Sequence, residues 1–304
     1  MIRAESQPDQ PIGPRPKGFV RPRHGQAARA LDALEGGYLR TAETHINAMS
    51  NLSTMDKAWR NYLQGALSLA RQEFAAAEPL LLEAASRAPV ADNTAGLHPH
   101  PESFRLAARA LEKAGWLYRH QDRPDRAYHS HLSAYHIRNE HGSFEETWET
   151  ATSLGHDADL AGKHADCQSW HRIAIQAAAR AAEEPERRQA ISFTNLSLSL
   201  IKSNLHEDAV AAARTARHWW HKHDMGSSAA ARADLILGHA LLRHGERLCE
   251  AGNTNAQAVL DDAMQLLTSA REALSAFGDD TSADVRWCDE QTDFAQRLRS
   301  SLEA

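Results

Sequence analysis

Small side chains recur at a fixed spacing along a chain whose apolar positions are mostly Ala and Leu. A small residue is followed 12 positions later by a second one and 7 positions after that by a third, and this triplet occurs four times. The triplets are Gly65, Ala77 and Ala84; Gly115, Ala127 and Ala134; Gly155, Cys167 and Ala174; and Ser197, Ala209 and Ala216. Two helices approach closely only where the crossing side chains are small, so each triplet predicts one helical hairpin.

Helix-breaking residues between the first two members of each triplet place the turns. They are Gln72-Glu73-Phe74, Gln121-Asp122-Arg123-Pro124, Gly162-Lys163 and Asn204-Leu205. The predicted helix pairs are about 25–35 with 38–50, 54–71 with 74–88, 102–120 with 124–140, 144–160 with 163–182, 185–203 with 206–222, and 227–250 with 256–276. A last helix over about 283–302 carries a polar face. No segment alternates in the way a strand requires.

A single hairpin cannot bury its apolar face and must stack on neighbouring hairpins. The pattern therefore predicts an all-α fold, a right-handed α-solenoid of stacked hairpins with a C-terminal capping helix. Three segments follow from it: a disordered Pro/Arg-rich arm over 1–24, a repeat array over 25–277 and a capping helix over 278–304.

The triplets resemble the signature of the tetratricopeptide (TPR) repeat family. The best copy runs from Tyr62-Leu63-Gln64-Gly65 through Phe74, Ala77, Leu81 and Ala84 to Pro89. A fifth copy at Leu237-Gly238 needs an insertion before Ala263 and Ala270. In the middle of the chain, successive second members lie 40 and 42 residues apart, which resembles the longer repeat of kinesin light chains and bacterial regulators.

Composition narrows the class of partner. The formal net charge of −6 and the pI near 6.3 argue against a nucleic-acid partner. No apolar run is long enough to span a membrane, and the three cysteines lack CxxC spacing, so we expect a cytoplasmic protein. No nucleophile elbow, P-loop, GxGxxG or HExxH motif occurs, and we expect neither an enzyme nor a cofactor.

Histidine clusters are the candidate chemistry outside the groove. His164, Cys167 and His171 share one helix face and are metal-competent, but Cys167 fills a small packing slot, so packing is the favoured interpretation and no metal ligand is predicted. The run from His218 to His223 is interpreted as cations stabilising a helix end. A further set on the helix after Pro124 is expected to be mostly solvated: His129, His131, His136 and His141.

The resemblance implies a concave groove lined by the first helix of each hairpin. Mapped onto this sequence, it implies a partner-binding set of Tyr62, Arg109, Glu112, Trp116, Arg119, His120, Thr152, His156 and Asp159. The set contains aromatics and arginines, which suits recognition of a peptide. It contains no Lys, so the carboxylate clamp of chaperone-binding TPR proteins is not expected.

The resulting expectation is a protein-interaction scaffold or adaptor that binds a protein or peptide partner in the groove, and self-association is left open. Two alternatives remain: a bacterial peptide-sensing regulatory protein, and a His-based binding protein that responds to metal or pH.

Overall fold

The computed structural model describes residues 22–91 and 101–302, and the predicted arm over 1–24 falls almost entirely outside these ranges. The described residues form thirteen α-helices and no strand, so the all-α hairpin fold is confirmed. Their bounds are α1 Gly25–Glu35, α2 Leu39–Asn47, α3 Thr54–Ala70, α4 Phe74–Ala91, α5 Pro101–His120, α6 Pro124–His141, α7 Phe144–Leu160, α8 His164–Arg180, α9 Pro185–Lys202, α10 His206–His223, α11 Ser228–Glu250, α12 Ala256–Ser275 and α13 Ser282–Leu302.

The helices divide into two compact units, the first ending at Asp157 and the second beginning at Ala158, within α7. In the first unit α1 packs on α2, α3 on α4, and α5 on both α4 and α6. In the second unit each of α9 to α12 packs on the helix that follows it, and α9 also packs on α8. The division of the chain into arm, array and capping helix stays a prediction.

The small residues of the triplets are buried, and Gly65 lies where α3 crosses α4. Each Ala or Cys member of the four triplets is at most 2% exposed. At Gly65 an added Cβ atom would lie 2.8 Å from Cγ of Leu81 on the facing helix. Interiors this dense accept no further methyl group without displacement, which explains why the first member of the triplet is so small.

The hairpin turns share one geometry. Residues Gln72, Asp122, Gly162, Asn204 and Gly252 all have a positive φ, between 55° and 70°. The amide that follows each of them donates to the carbonyl oxygen five residues earlier, for example Arg123 to Tyr118 at 2.9 Å and Leu205 to Leu200 at 3.0 Å. This is the Schellman ending, which satisfies free carbonyl groups and stops the helix. The cues in the sequence thus act through the left-handed residue that each of them contains.

The fifth hairpin contains the predicted insertion. Gly238 does cross the second helix near Ala263, since an added Cβ would lie 2.9 Å from Cγ of Leu267 and 3.3 Å from the Ala263 oxygen. The residues inserted before Ala263 lie within the two helices, which extend over 23 residues in α11 and 20 in α12. Their extension creates a second crossing, where a Cβ on Gly245 would lie 2.8 Å from Leu260.

Among the described residues, no helix combines the length and the apolar character needed to cross a membrane.

Candidate functional site

Trp116 is the large aromatic side chain of the predicted groove set that reaches solvent, with 42% of its surface exposed on α5. The guanidinium of Arg119, one helical turn later, lies 4.9 Å from the centre of the indole ring. A cation held over the face of an indole is attracted by the ring's electron density. The structure therefore brings these two predicted residues together.

Arg119 is fixed by a buried carboxylate on α7. Its Nε and Nη2 atoms donate to Oδ1 of Asp157 at 2.9 and 2.7 Å, and Nη2 also donates to the Ser153 carbonyl at 3.1 Å. The other oxygen of Asp157 is bound by Nδ1 of His131 on α6. Both Asp157 and His131 are 0% exposed. Three helices of the first unit are thus joined through one carboxylate.

His131 corrects an expectation, because the sequence predicts it among mostly solvated histidines and the structure shows it fully buried. The sequence carried a signal for this position. His131 follows Ala127 by four residues, as the core residue Leu81 follows Ala77, and both residues face the glycine that opens their hairpin. His129 and His136 on the same helix are exposed, as expected.

A second buried ion pair lies between α5 and α6. Arg138, with 3% of its side chain exposed, donates from both terminal nitrogens to Glu112, at 3.1 and 2.7 Å. It also donates to the Thr150 hydroxyl at 2.6 Å and to the Glu146 carbonyl at 3.2 Å. Burial alone would raise the pKa of Glu112, but the charge and hydrogen bonds of Arg138 hold it below its ordinary value of 4.5. Glu112 is thus engaged within the protein.

Tyr62 does not face a groove. It is 5% exposed in the core of the first unit and meets Trp59 edge to face, with ring centres 5.7 Å apart. Burial follows from its place in α3, three residues before Gly65, where the helix faces its neighbours. Its ring is accordingly unavailable to a partner.

The remaining predicted residues lie in varied surroundings. Arg109 is half-buried, His156 is exposed on α7 beside Asp157, and His120 is exposed and stacks on Phe74 with ring centres 6.1 Å apart. The Thr152 hydroxyl donates to the carbonyl of Trp148 in its own helix at 2.8 Å.

Asp159 belongs to the second unit and is engaged there. Its Oδ2 accepts a hydrogen bond from Nζ of Lys202 at 2.5 Å, and its Oδ1 lies 3.8 Å from Nδ1 of His164. The carboxylate is therefore held by a cation of its own unit.

The metal-competent residues of α8 are explained by packing. Cys167 is 0% and His171 2% exposed, in the positions that Ala77 and Leu81 hold in their hairpin. Burial raises the pKa of the Cys167 thiol. Among the described residues, no three His, Cys, Asp or Glu side chains converge as a metal site would require.

No model of a protein family matches the sequence, and no curated protein matches it. Solved structures match its fold. The apo form of RapI is similar with a TM-score of 0.57 at 10% identity, over 91% of this chain and 97% of that chain. BtubC (BKLC) from P. vanneervenii is similar with a TM-score of 0.52 at 17% identity, over 92% of this chain and 91% of that chain.

A third match carries the repeat in its description. It is a STAND protein (a signal transduction ATPase with numerous domains) with a tetratricopeptide repeat sensor, from Pyrococcus horikoshii. Its TM-score is 0.60 at 13% identity, over 91% of this chain and 41% of that chain. At such identities the similarity shows the fold, and this fold is that of the TPR solenoids, as the sequence resemblance indicated.

Proposed function

We propose that this chain is a protein-interaction scaffold or adaptor that binds a peptide or protein segment on the Trp116 surface, defined as Trp116 and Arg119 on α5 and His156 on α7. The observation that carries the proposal is the exposed indole lying against a guanidinium that a buried carboxylate holds in place. Large aromatics and arginines supply most of the binding energy in protein interfaces.

Preorganisation supports this surface as a binding site. Binding normally costs about 0.5–1.5 kcal/mol for each flexible side chain that a partner immobilises. Arg119 is already fixed by its hydrogen bonds to Asp157 and Ser153, and Asp157 is fixed by His131. The indole and the guanidinium therefore form a platform, and a partner loses less binding free energy to the ordering of Arg119.

The chemistry of the platform indicates the kind of side chain it receives. The charge of Arg119 is offset by Asp157, so the platform offers little net attraction for an acidic residue. Most of its exposed area belongs to Trp116, which is 42% exposed, whereas the side chain of Arg119 is 18% exposed. We infer that it accepts an aromatic or long aliphatic side chain of the partner.

A binding role also accords with the fold. The Pyrococcus horikoshii protein is described as using a tetratricopeptide repeat as a sensor, and we extend only the general role, recognition of another molecule, to this chain. Stacked helical repeats present extended surfaces for such recognition.

The test is peptide selection followed by calorimetry. Peptides are selected by phage display on the whole chain, and their affinities are measured for the wild type and for Trp116→Ala. We expect the substitution to weaken the best peptides by about 2 kcal/mol or more, which is roughly 30-fold in Kd, with unchanged circular dichroism.

The matched controls are His129→Ala and His136→Ala, which remove exposed rings from α6. They should leave Kd within about twofold. The proposal fails if the selected peptides bind Trp116→Ala as tightly as the wild type, and still more clearly if the α6 controls abolish binding.

A further inference from the structure

A stripe of five basic side chains runs along one face of α10 in the second unit. Its members follow the helical spacing i, i+3, i+4, i+7 and i+8, which places them on one side of a helix. They are Arg214, Arg217, His218, His221 and Lys222. Together with Leu237 of α11 they line an open cleft of about 470 Å³, here named the α10 cleft.

One buried carboxylate orders part of the stripe. Asp234, with 10% of its side chain exposed, accepts from Nε of Arg217 at 2.5 Å and lies 2.9 and 3.0 Å from Nε2 of His221. Among the described residues, Arg214, His218 and Lys222 have no carboxylate partner. Asp234 thus offsets one of the three permanent cations and leaves the cleft positive.

This positive excess is a local feature of the second unit. The protein carries a formal net charge of −6. Several other arginines of the unit are paired with carboxylates, among them Arg232 with Asp284 at 2.7 Å and Arg271 with Asp289 at 2.5 Å. The α10 cleft therefore carries an excess of positive charge, whereas these other arginines are neutralised by carboxylates.

Stabilisation of the helix end does not account for the stripe. The attraction between cations and the helix dipole is confined to the last turn. It explains His221 and Lys222, which precede the end of α10 at His223, but Arg214 and Arg217 lie further back. Arg217 is accounted for by its hydrogen bond to Asp234, but Arg214 needs another reason for being on the face that opens onto the cleft.

We propose that the α10 cleft binds an acidic segment of a polypeptide, independently of the Trp116 surface. Arginine recognises carboxylates through paired, directional hydrogen bonds, and Arg217 is already oriented by Asp234. Leu237 supplies an apolar floor for the methylene groups of Asp or Glu side chains. The stripe extends about 12 Å along the helix, which fits an extended segment of about four residues.

The length of the stripe favours a peptide over a nucleic acid. A nucleic-acid surface must follow a regular row of phosphates over a longer distance, and its affinity comes from many cations. Here five side chains on two helical turns are surrounded by a protein of opposite net charge. A short acidic segment can be bound by these five side chains alone.

The test uses a fluorescein-labelled peptide of about six alternating Glu and Asp residues, long enough to cover the stripe. Binding to the whole chain is followed by fluorescence anisotropy at low ionic strength. We expect Arg214→Ala/Lys222→Ala, which alters two exposed side chains, to weaken binding by about fivefold to tenfold. A control peptide of the same length, with Gln for Glu and Asn for Asp, should not bind. Added salt should weaken the binding of the acidic peptide.

The matched control is Arg187→Ala/Arg247→Ala, which removes two exposed positive charges from the same unit outside the cleft. Affinity should change by less than about twofold. Equal loss in the two double variants would overturn the proposal, because it would indicate general charge attraction. A labelled single-stranded oligonucleotide that binds the wild type more tightly than the peptide would also overturn it. Trp116→Ala should bind the acidic peptide normally, which separates this test from that of the Trp116 surface.

Discussion

The imidazole of His131 occupies the space that Gly115 leaves open on the facing helix. A Cβ atom built on Gly115 would lie 2.5 Å from both Cε1 and Nε2 of that ring. The same relation joins Gly65 to Leu81 and Gly238 to Leu267, at 2.8 and 2.9 Å. The glycine that opens a hairpin and the large residue that fills its place are therefore one packing unit.

The close packing of His131 against Gly115 predicts a loss of stability for Gly115→Ala. Alanine is favoured over glycine inside a helix by about 1 kcal/mol, so local propensity alone would stabilise the variant. The clash with a buried and ion-paired ring works in the opposite direction and should prevail, lowering the free energy of unfolding by about 1–3 kcal/mol. Urea unfolding followed by circular dichroism measures the change.

Gly25→Ala is the control for propensity without a clash, since nothing lies within 4 Å of a Cβ at that helix position. It should be neutral or slightly stabilising. If Gly115→Ala proves as stable as the wild type, the close approach of α5 and α6 at His131 is wrong.

The helices could be predicted from the sequence because their signals are local. Asp122 and Asn204, which adopt the left-handed conformation, lie within the predicted turn cues, and the small triplets set the register of each hairpin. The bounds of α11 and α12 agree with the prediction, whereas their second crossing at Gly245 is not predicted, because it repeats no triplet.

The buried ion pairs had no comparable signal. Arg119 and Asp157 are 38 residues apart, and Arg138 and Glu112 are 26 residues apart. Their pairing depends on which helices become neighbours, and the sequence does not give this. Without it, a charged residue in a helix is predicted to face solvent. For the same reason the resemblance places Glu112 and Arg119 in the groove set, whereas the structure shows that each binds a side chain of a second helix.

The pair between Arg138 and Glu112 gives a second prediction. Glu112→Gln leaves the buried guanidinium without its bidentate carboxylate, and the free energy of unfolding should fall by about 3 kcal/mol. Glu149→Gln is the matched control, because Glu149 is 43% exposed and lies 3.8 Å from Arg138. It should cost less than about 1 kcal/mol. Equal effects of the two changes would show that the buried geometry is not decisive.

The pH dependence of this effect has a definite sign. Burial acts to raise the pKa of Glu112, but Arg138 outweighs it and the pKa is lowered in the folded state. The stabilisation by this carboxylate is therefore complete above the unfolded value of about 4.5 and is lost as the pH falls through the folded value. The difference between wild type and Glu112→Gln should thus shrink in acid, and a difference that grows would contradict the assignment.

His239 in the second unit favours its neutral form in the folded protein, whereas Glu112 favours its charged form. It is 9% exposed on α11, its Nδ1 lies 2.9 Å from Oε1 of Gln291 on α13, and Trp287 covers its ring at 4.9 Å. Burial, assisted by the charge of Arg243, lowers the pKa of His239 from 6.5 to about 4. The folded protein thus resists protonation of this ring.

Acid should therefore weaken the wild type through His239. Between pH 6.5 and about 4 the unfolded chain binds a proton at this residue and the folded chain does not, so stability falls with pH, by at most about 3 kcal/mol over the window. His239→Gln has no ring to titrate, and its free energy of unfolding should change less between about pH 7 and pH 4.5. The exposed His129→Gln should keep the wild-type dependence. Urea unfolding at both pH values measures these changes. If the free energy of unfolding depends on pH equally in wild type and His239→Gln, burial against α13 does not lower the pKa of His239.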